Sequence, residues 1–202
     1  LNTHITYMAV DIKTVSELRA RTGAGLMDAK KALEAAGGDI EKAIDTLRKA
    51  GAAKAAKRAE REAKEGVVEA YLHSNGKIGS MIALTCETDF VARNEKFRQM
   101  AKDIAMHVAA ANPEYLRVSD VPQALIEREK DIYREQLRAQ GKPEEMMDKI
   151  MEKMLEKFYA ERVLLKQPFI KDEEKTIEFM IEEAIAVICE KIELTKFARL
   201  TI

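Results

Sequence analysis

Apolar side chains recur along this chain with two different periods, and the changes of period divide it. Over the first fifty residues the spacing is helical. Thr14 with Glu17 reads as a capping box opening a helix whose inner face is Val15, Leu18 and Thr22. Gly23-Ala24-Gly25 breaks that helix. Leu26, Ala29, Leu33 and Ala36 then form the buried stripe of a second, which Gly37-Gly38 ends. Asp39 caps a third with Ile40, Ala43, Ile44 and Leu47 on its apolar face. Residues 52–65 are rich in Ala, Lys, Arg and Glu, with few large apolar groups, and predict an exposed helical linker.

After Gly66 the period falls to two. Residues 67–73 and 78–87 predict strands flanking Ser74-Asn75-Gly76-Lys77, and Asn-Gly is a strong hairpin signal. Helical spacing returns in Phe97, Met100, Ala101, Ile104, Ala105 and Val108, capped by Asn94 and stopped at Asn112-Pro113. Two longer helices, about 121–139 and 143–165, are separated by Gly141-Lys142-Pro143. Met147, Ile150, Met151, Met154, Leu155 and Phe158 stripe the second, so the pair predicts an antiparallel helical hairpin. A last helix over 176–190 is expected to bury Phe179, Ala184, Ile185 and Ile188. Ile192, Leu194, Ala198, Leu200 and Ile202 then alternate as a third strand of one antiparallel sheet. The fold class is α+β.

Composition narrows the chemistry. With 34 Lys and Arg against 35 Asp and Glu, the 202-residue chain has a formal net charge of −1, which argues against a dedicated nucleic-acid binder. The basic side chains of the 52–65 segment interleave with Glu60, Glu62 and Glu65, as on a solvated helix. Cys86 and Cys189 are far apart, with no metal spacing around them, so a disulfide scaffold and a zinc site are not expected. His4, His73 and His107 are too scattered for a metal site, and Gly23-Ala24-Gly25-Leu26 lacks the Gly-Lys-Ser/Thr of a phosphate loop. No cofactor is expected. No apolar run reaches membrane-spanning length, and the first seven residues read as an upstream extension before a natural beginning at Met8. A reducing cytoplasmic setting is the expectation.

One residue stands apart. Phe90 falls in the connection between a strand and a helix, directly after Asp89. Connections lie on the surface and often carry function, so this ring either folds back under its own loop or is presented to a partner. Glu87 or Asp89 with His73 could be paired for acid–base work, but no nucleophile or substrate cleft accompanies them, and the chain does not read as an enzyme.

Three ordered blocks carry a resemblance. Cys86-Glu87-Thr88-Asp89-Phe90-Val91-Ala92-Arg93-Asn94 resembles the signature loop of the bacterial elongation factor Ts family. Leu18 to Leu33, extended by Gly37-Gly38-Asp39-Ile40-Glu41-Lys42-Ala43, resembles its N-terminal signature. Gln167-Pro168-Phe169-Ile170 resembles a segment near its C-terminal end. The likeness runs from about Met8 to Ile202 in the family's order and matches a short form with a single core module. It implies a ubiquitin-associated-like (UBA-like) three-helix head at 8–51, a helical linker at 52–65 and an α+β core at 66–202, with a coiled-coil hairpin arm inserted at about 120–165. The implied partner is the translational GTPase EF-Tu, from which the family releases GDP. The implied wedge is Asp89 and Phe90, with Thr88 and Val91 setting the loop's posture. Arg19, Leu26, Met27 and Lys30 lie where the family's head grips EF-Tu, although the spacing alone places Leu26 on the buried stripe. His73 matches a partner-contacting histidine. A plain adaptor and an RNA-associated helical protein are the competing readings, and neither needs an exposed Phe90. A homodimer is left open, with Cys189 either buried and reduced or near a symmetric pairing.

Overall fold

The computed structural model describes residues 11–202; Met8, the leader before it and His4 lie outside the described residues. Asp11 opens the first helix. Its carboxylate accepts the Lys13 N–H at 3.3 Å ahead of α1 (Ile12–Thr22). The expected Thr14/Glu17 box therefore falls inside α1, because an acid three residues upstream already serves as the cap. Gly23, at φ 67°, ends α1 in the left-handed conformation that glycine adopts without strain. α2 (Leu26–Ala35) follows, and Asp39 caps α3 (Ile40–Arg58) by accepting the Lys42 N–H at 3.1 Å. Val15, Leu18, Ala29, Ala32, Leu33 and Ala43 are the buried core of this trio, with Ile40, Ile44 and Leu47 packed against it.

α3 is longer than the pattern suggested. It runs Ile40–Arg58 without a break, so residues 52–58 continue it and the helix ends well before 65. Helix-forming Ala, Lys and Arg carry it through, and Lys54 bonds Asp28 of α2 at 2.8 Å. β1 (Glu65–Leu72) and β2 (Ile78–Cys86) then make the hairpin, closed by the His73 N–H on Ile78 O at 2.9 Å with Gly76 at φ 67°.

By compactness the described chain divides into two units, each discontinuous in sequence. The first takes in the chain up to Gly66, then Thr85–Ala92 and Met180–Glu193. The second takes in Val67–Leu84, Arg93–Phe179 and Leu194–Ile202. Within the first, Gly51 of α3 is buried, and a Cβ there would meet the Ala186 Cβ at 3.5 Å. A small residue is what lets the two backbones approach.

The three-stranded sheet, most of whose residues belong to the second unit, has the order β1-β2-β5, with β5 spanning Ile192–Thr201. Thr195 Oγ1 bonds Ala83 O and Ile202 N bonds Lys77 O, so numbers rise on one strand as they fall on the other and the pair is antiparallel. Ser80, Ile82 and Leu84 point inward at alternate positions. Asn94 caps α5 (Glu95–Ala111), which buries Phe97, Ala101, Ile104, Ala105 and Val108. Ser80 donates its hydroxyl to Ala105 O and Arg199 its Nε–H to Ala109 O, fastening sheet to helix.

α6 (Gln123–Ala139) and α7 (Glu144–Arg162) pack as an antiparallel pair about the Gly141 turn. Leu137 meets Met147 and Met151 near the turn, while Ile126 meets Phe158 at the other end. α7 stops short of 165 because the Val163–Leu164 backbone bridges to Tyr115 instead.

Two features depart from expectation. β3 (Pro168–Phe169) and β4 (Asp172–Thr176) pair antiparallel, too short and too charged to announce themselves by period. α8 (Ile177–Ile188) buries the i, i+4 row Ile177, Ile181 and Ile185, whereas Phe179, Ala184 and Ile188 are only half-buried.

Candidate partner-binding site

The strand-to-helix connection is itself helical. After Cys86 the chain makes one turn, α4 (Asp89–Ala92), before α5 begins. Thr88 caps that turn: its hydroxyl oxygen accepts the Val91 N–H at 3.4 Å and its carbonyl accepts the Ala92 N–H at 3.2 Å. Val91 faces inward and is buried. Phe90, one position before it, faces outward and is 78% exposed; Asp89 is exposed beside it. The apolar ring is thus carried on a short helical turn behind an acid, next to the buried Val91.

That turn is anchored by residues about a hundred positions later. The Glu190 carboxylate accepts the backbone N–H of Glu87 at 3.1 Å and of Thr88 at 3.0 Å through Oε2, and the Thr88 hydroxyl at 2.7 Å through Oε1. In return the Glu87 carboxylate accepts the Lys191 N–H at 2.6 Å and faces the Arg61 guanidinium at 3.3 Å. The Lys191 bond first, then the charge of Arg61, hold the Glu87 carboxyl below the usual carboxylate range. Arg58 donates its Nε–H to Cys189 O at 3.1 Å, tying the end of α3 to the same segment. The Cys86 thiol donates to Thr88 O at 3.2 Å, and burial, then the charge of Glu190, push it up to about 11. Apart from the Cys86–Thr88 contact these partners are distant in sequence, and sequence reading found neither Glu190 nor this role of Arg58.

The helices α1 and α2 carry the other residues singled out in the sequence. Leu26 is 56% exposed and Met27 60% exposed, so Leu26 is not on the buried stripe. The correction follows from helix phase. α2 begins at Leu26, and the interior is filled by Ala29, Ala32 and Leu33, which leaves the first turn outside. Lys30 lies one turn on, in an exposed pair with Glu34 at 3.8 Å. Arg19 is exposed and donates its Nε–H to Ala24 O at 3.3 Å across the turn that leads to them. These four and the Thr88–Val91 turn belong to the first unit. His73 belongs to the second; it is exposed at the hairpin end, its Nδ1 3.1 Å from the Tyr71 hydroxyl.

Cys189 is exposed, at φ 64°, and Cys86 is buried. Among the described residues no three His, Cys, Asp or Glu side chains gather as a metal site, and no helix is long and apolar enough to cross a membrane.

The family model described as elongation factor TS matches residues 11–202. Elongation factor Ts of Thermosipho melanesiensis is 55% identical over 193 residues, covering 96% of this chain and 98% of its own length. That of Thermodesulfovibrio yellowstonii is 54% identical over 192 residues, at 95% and 96% coverage. That of Geobacter sulfurreducens is 52% identical over 192 residues, at 95% and 89% coverage.

Proposed function

The chain belongs to the elongation factor Ts family, and from that premise we propose how it acts on EF-Tu. It is a guanine-nucleotide exchange factor for EF-Tu in the elongation cycle of protein synthesis and not an enzyme. The observation that carries our reading of its mechanism is the exposed Phe90 ring, held outward on α4 behind Asp89. A ring of that size in water gains about 1.5–3 kcal/mol when a partner buries it. In our reading Phe90 enters a gap in the GTPase near its Mg²⁺ site, and Asp89 bonds at that surface and fixes the disturbed arrangement. Displacing Mg²⁺ removes the largest positive charge on the diphosphate, so GDP leaves faster. Exchange factor and Mg²⁺·GDP then weaken each other's binding by the same factor, as linkage requires.

The head, which we read as UBA-like, supplies affinity through Arg19, Leu26, Met27 and Lys30, and His73 adds a contact from the core. The division we propose is a head to residue 51, a linker at 52–65 and a core from 66, with α6 and α7 forming a coiled-coil arm outside the exchange machinery. The site of action is the cytoplasm, with no direct contact to nucleic acid. We also propose that two copies pair through the core: β5 is an edge strand, and Val68, Leu72, Met81 and Leu200 leave apolar side chains exposed on that sheet. The function is tested by mixing substoichiometric amounts of the protein with EF-Tu loaded with fluorescent GDP. Accelerated release by each molecule through many cycles is expected; release no faster than the spontaneous rate overturns the exchange reading.

A further inference from the structure

We propose that Glu190 is a positioning residue for nucleotide exchange, holding the α4 turn so that Phe90 is presented before the partner arrives. The proposal rests on the reading of Phe90 as the wedge. Three hydrogen bonds converge on this one carboxylate, from the Glu87 N–H, the Thr88 N–H and the Thr88 hydroxyl. The hydroxyl that donates to Glu190 at 2.7 Å is the same one that accepts the Val91 N–H and so starts α4. Glu190 thereby fixes the cap, the cap fixes the turn, and the turn aims Phe90.

The carboxylate is itself held. Cys189 adopts φ 64° just beyond α8, and its N–H bonds Ile185 O at 3.0 Å. Its carbonyl accepts from Arg58, and the next peptide N–H, that of Lys191, is taken by Glu87. Each acid therefore binds backbone next to the other, and neither segment can shift without breaking both sets of bonds. Charge-assisted bonds of this kind are stronger than neutral ones. A ring presented in advance spares the complex the ordering cost of a loose loop. The head surface does not involve these bonds, so docking through the head does not wait on the ordering of α4, and the cost of losing Glu190 falls mainly on the exchange step.

Stopped-flow release of fluorescent GDP from EF-Tu, followed over a range of exchange-factor concentrations, separates maximal rate from half-saturation. Glu190→Ala is expected to lower the maximal rate about ten-fold, with half-saturation moved less than about two-fold. Glu190→Gln restores the rate, because its carbonyl still accepts both N–H groups and its amide donates to the Thr88 oxygen. Glu190→Ala combined with Phe90→Ala is expected to be no slower than Phe90→Ala alone, since the two act at one place. Amide hydrogen exchange at Glu87 and Thr88 reports the bonds directly. A wild-type maximal rate in Glu190→Ala with those amides deprotected overturns the proposal, as does a double variant slower than Phe90→Ala. If Phe90→Ala itself releases GDP at the wild-type rate, the wedge reading fails, whatever Glu190 does. Should Glu190→Ala not fold, Glu190→Asp keeps the charge and the Thr88 cap but shortens the arm by one methylene, so the three bonds cannot all be made; a fall of about three-fold supports the proposal and an unchanged rate overturns it.

Discussion

His107 and Gln167, sixty residues apart, meet at 3.0 Å between Nε2 and Oε1, both buried. The ring's other nitrogen, Nδ1, accepts the Ile170 N–H at 3.3 Å, so the hydrogen-bond network assigns the proton to Nε2. Gln167 in turn donates to Glu161 O at 2.9 Å and Ala111 O at 3.4 Å. The third sequence block, Gln167 to Ile170, thus closes a polar network inside the second unit, built around a histidine that carries no charge.

Burial pushes the His107 pKa below its ordinary value of 6.5, against a smaller opposing effect of the Gln167 bond. The unfolded chain therefore binds the proton more readily than the folded one. The stabilisation is fully present above pH 6.5 and is lost as pH falls from there through the lowered folded value. Melting temperature is expected to drop between about pH 7 and pH 5, a window set by the ordinary histidine value. His107→Gln, though less stable at neutral pH, should flatten that slope; calorimetric melts across the window provide the check.

Phe90→Ala is expected to cost the free protein far less than the roughly 3–5 kcal/mol lost when a buried Phe is truncated, because the ring is exposed. GDP release from EF-Tu should slow substantially, with a smaller loss of affinity for nucleotide-free EF-Tu. Asp89→Ala should behave alike, and the pair should be less than additive. Denaturant melts alongside exchange rates decide it. Unfolding at ordinary temperature with normal exchange by the residual folded protein would make Phe90 a core residue.

Replacing Arg19, Met27 and Lys30 together by Ala should weaken complex formation while helical circular dichroism stays intact, since none of the three is in the buried cluster of the head. Titration calorimetry against EF-Tu reads the affinity. Leu26→Ala should belong to the same class, weakening the complex without loosening the head.

Shortening α6 and α7 on the turn side of Lys130 and Lys153 removes the Leu137, Met147 and Met151 cluster and keeps Ile126 and Phe158 at the other end. The product should fold and retain measurable exchange. Complete loss of exchange in a well-folded product would place this pair of helices inside the machinery.

A thiol reagent at neutral pH should label one cysteine in the native chain, Cys189, and both after denaturation. Cys86 is buried with its pKa raised to about 11, so little thiolate is available there. Mass spectrometry of the labelled peptides identifies the site.

Much of this architecture was legible because it is local. The stripes of α3, α5 and α7, the Asn75-Gly76 turn and the caps Asp39 and Asn94 are each written within a few residues of where they act. What escaped depends on contacts made at a distance. Leu26 sits on a helical row that reads as buried, yet the neighbouring helices fill only the part of that row behind it. On α8 nine of the twelve positions are apolar, so spacing alone does not single out the row that faces inward. Asp89 and Phe90 could be singled out from their place between strand and helix, but nothing near them announces Glu190.

Thr88 and Glu190 are 102 residues apart. A ribosome making this chain releases the loop long before its anchor exists, and at typical synthesis speeds of about 5–20 residues per second the delay is several seconds or more. Throughout that interval Phe90 rides on an untethered segment. The ability to act on EF-Tu is therefore expected to arrive only once Glu190 has been made, and a chain cut short before Glu190 would lack the anchor of the α4 turn.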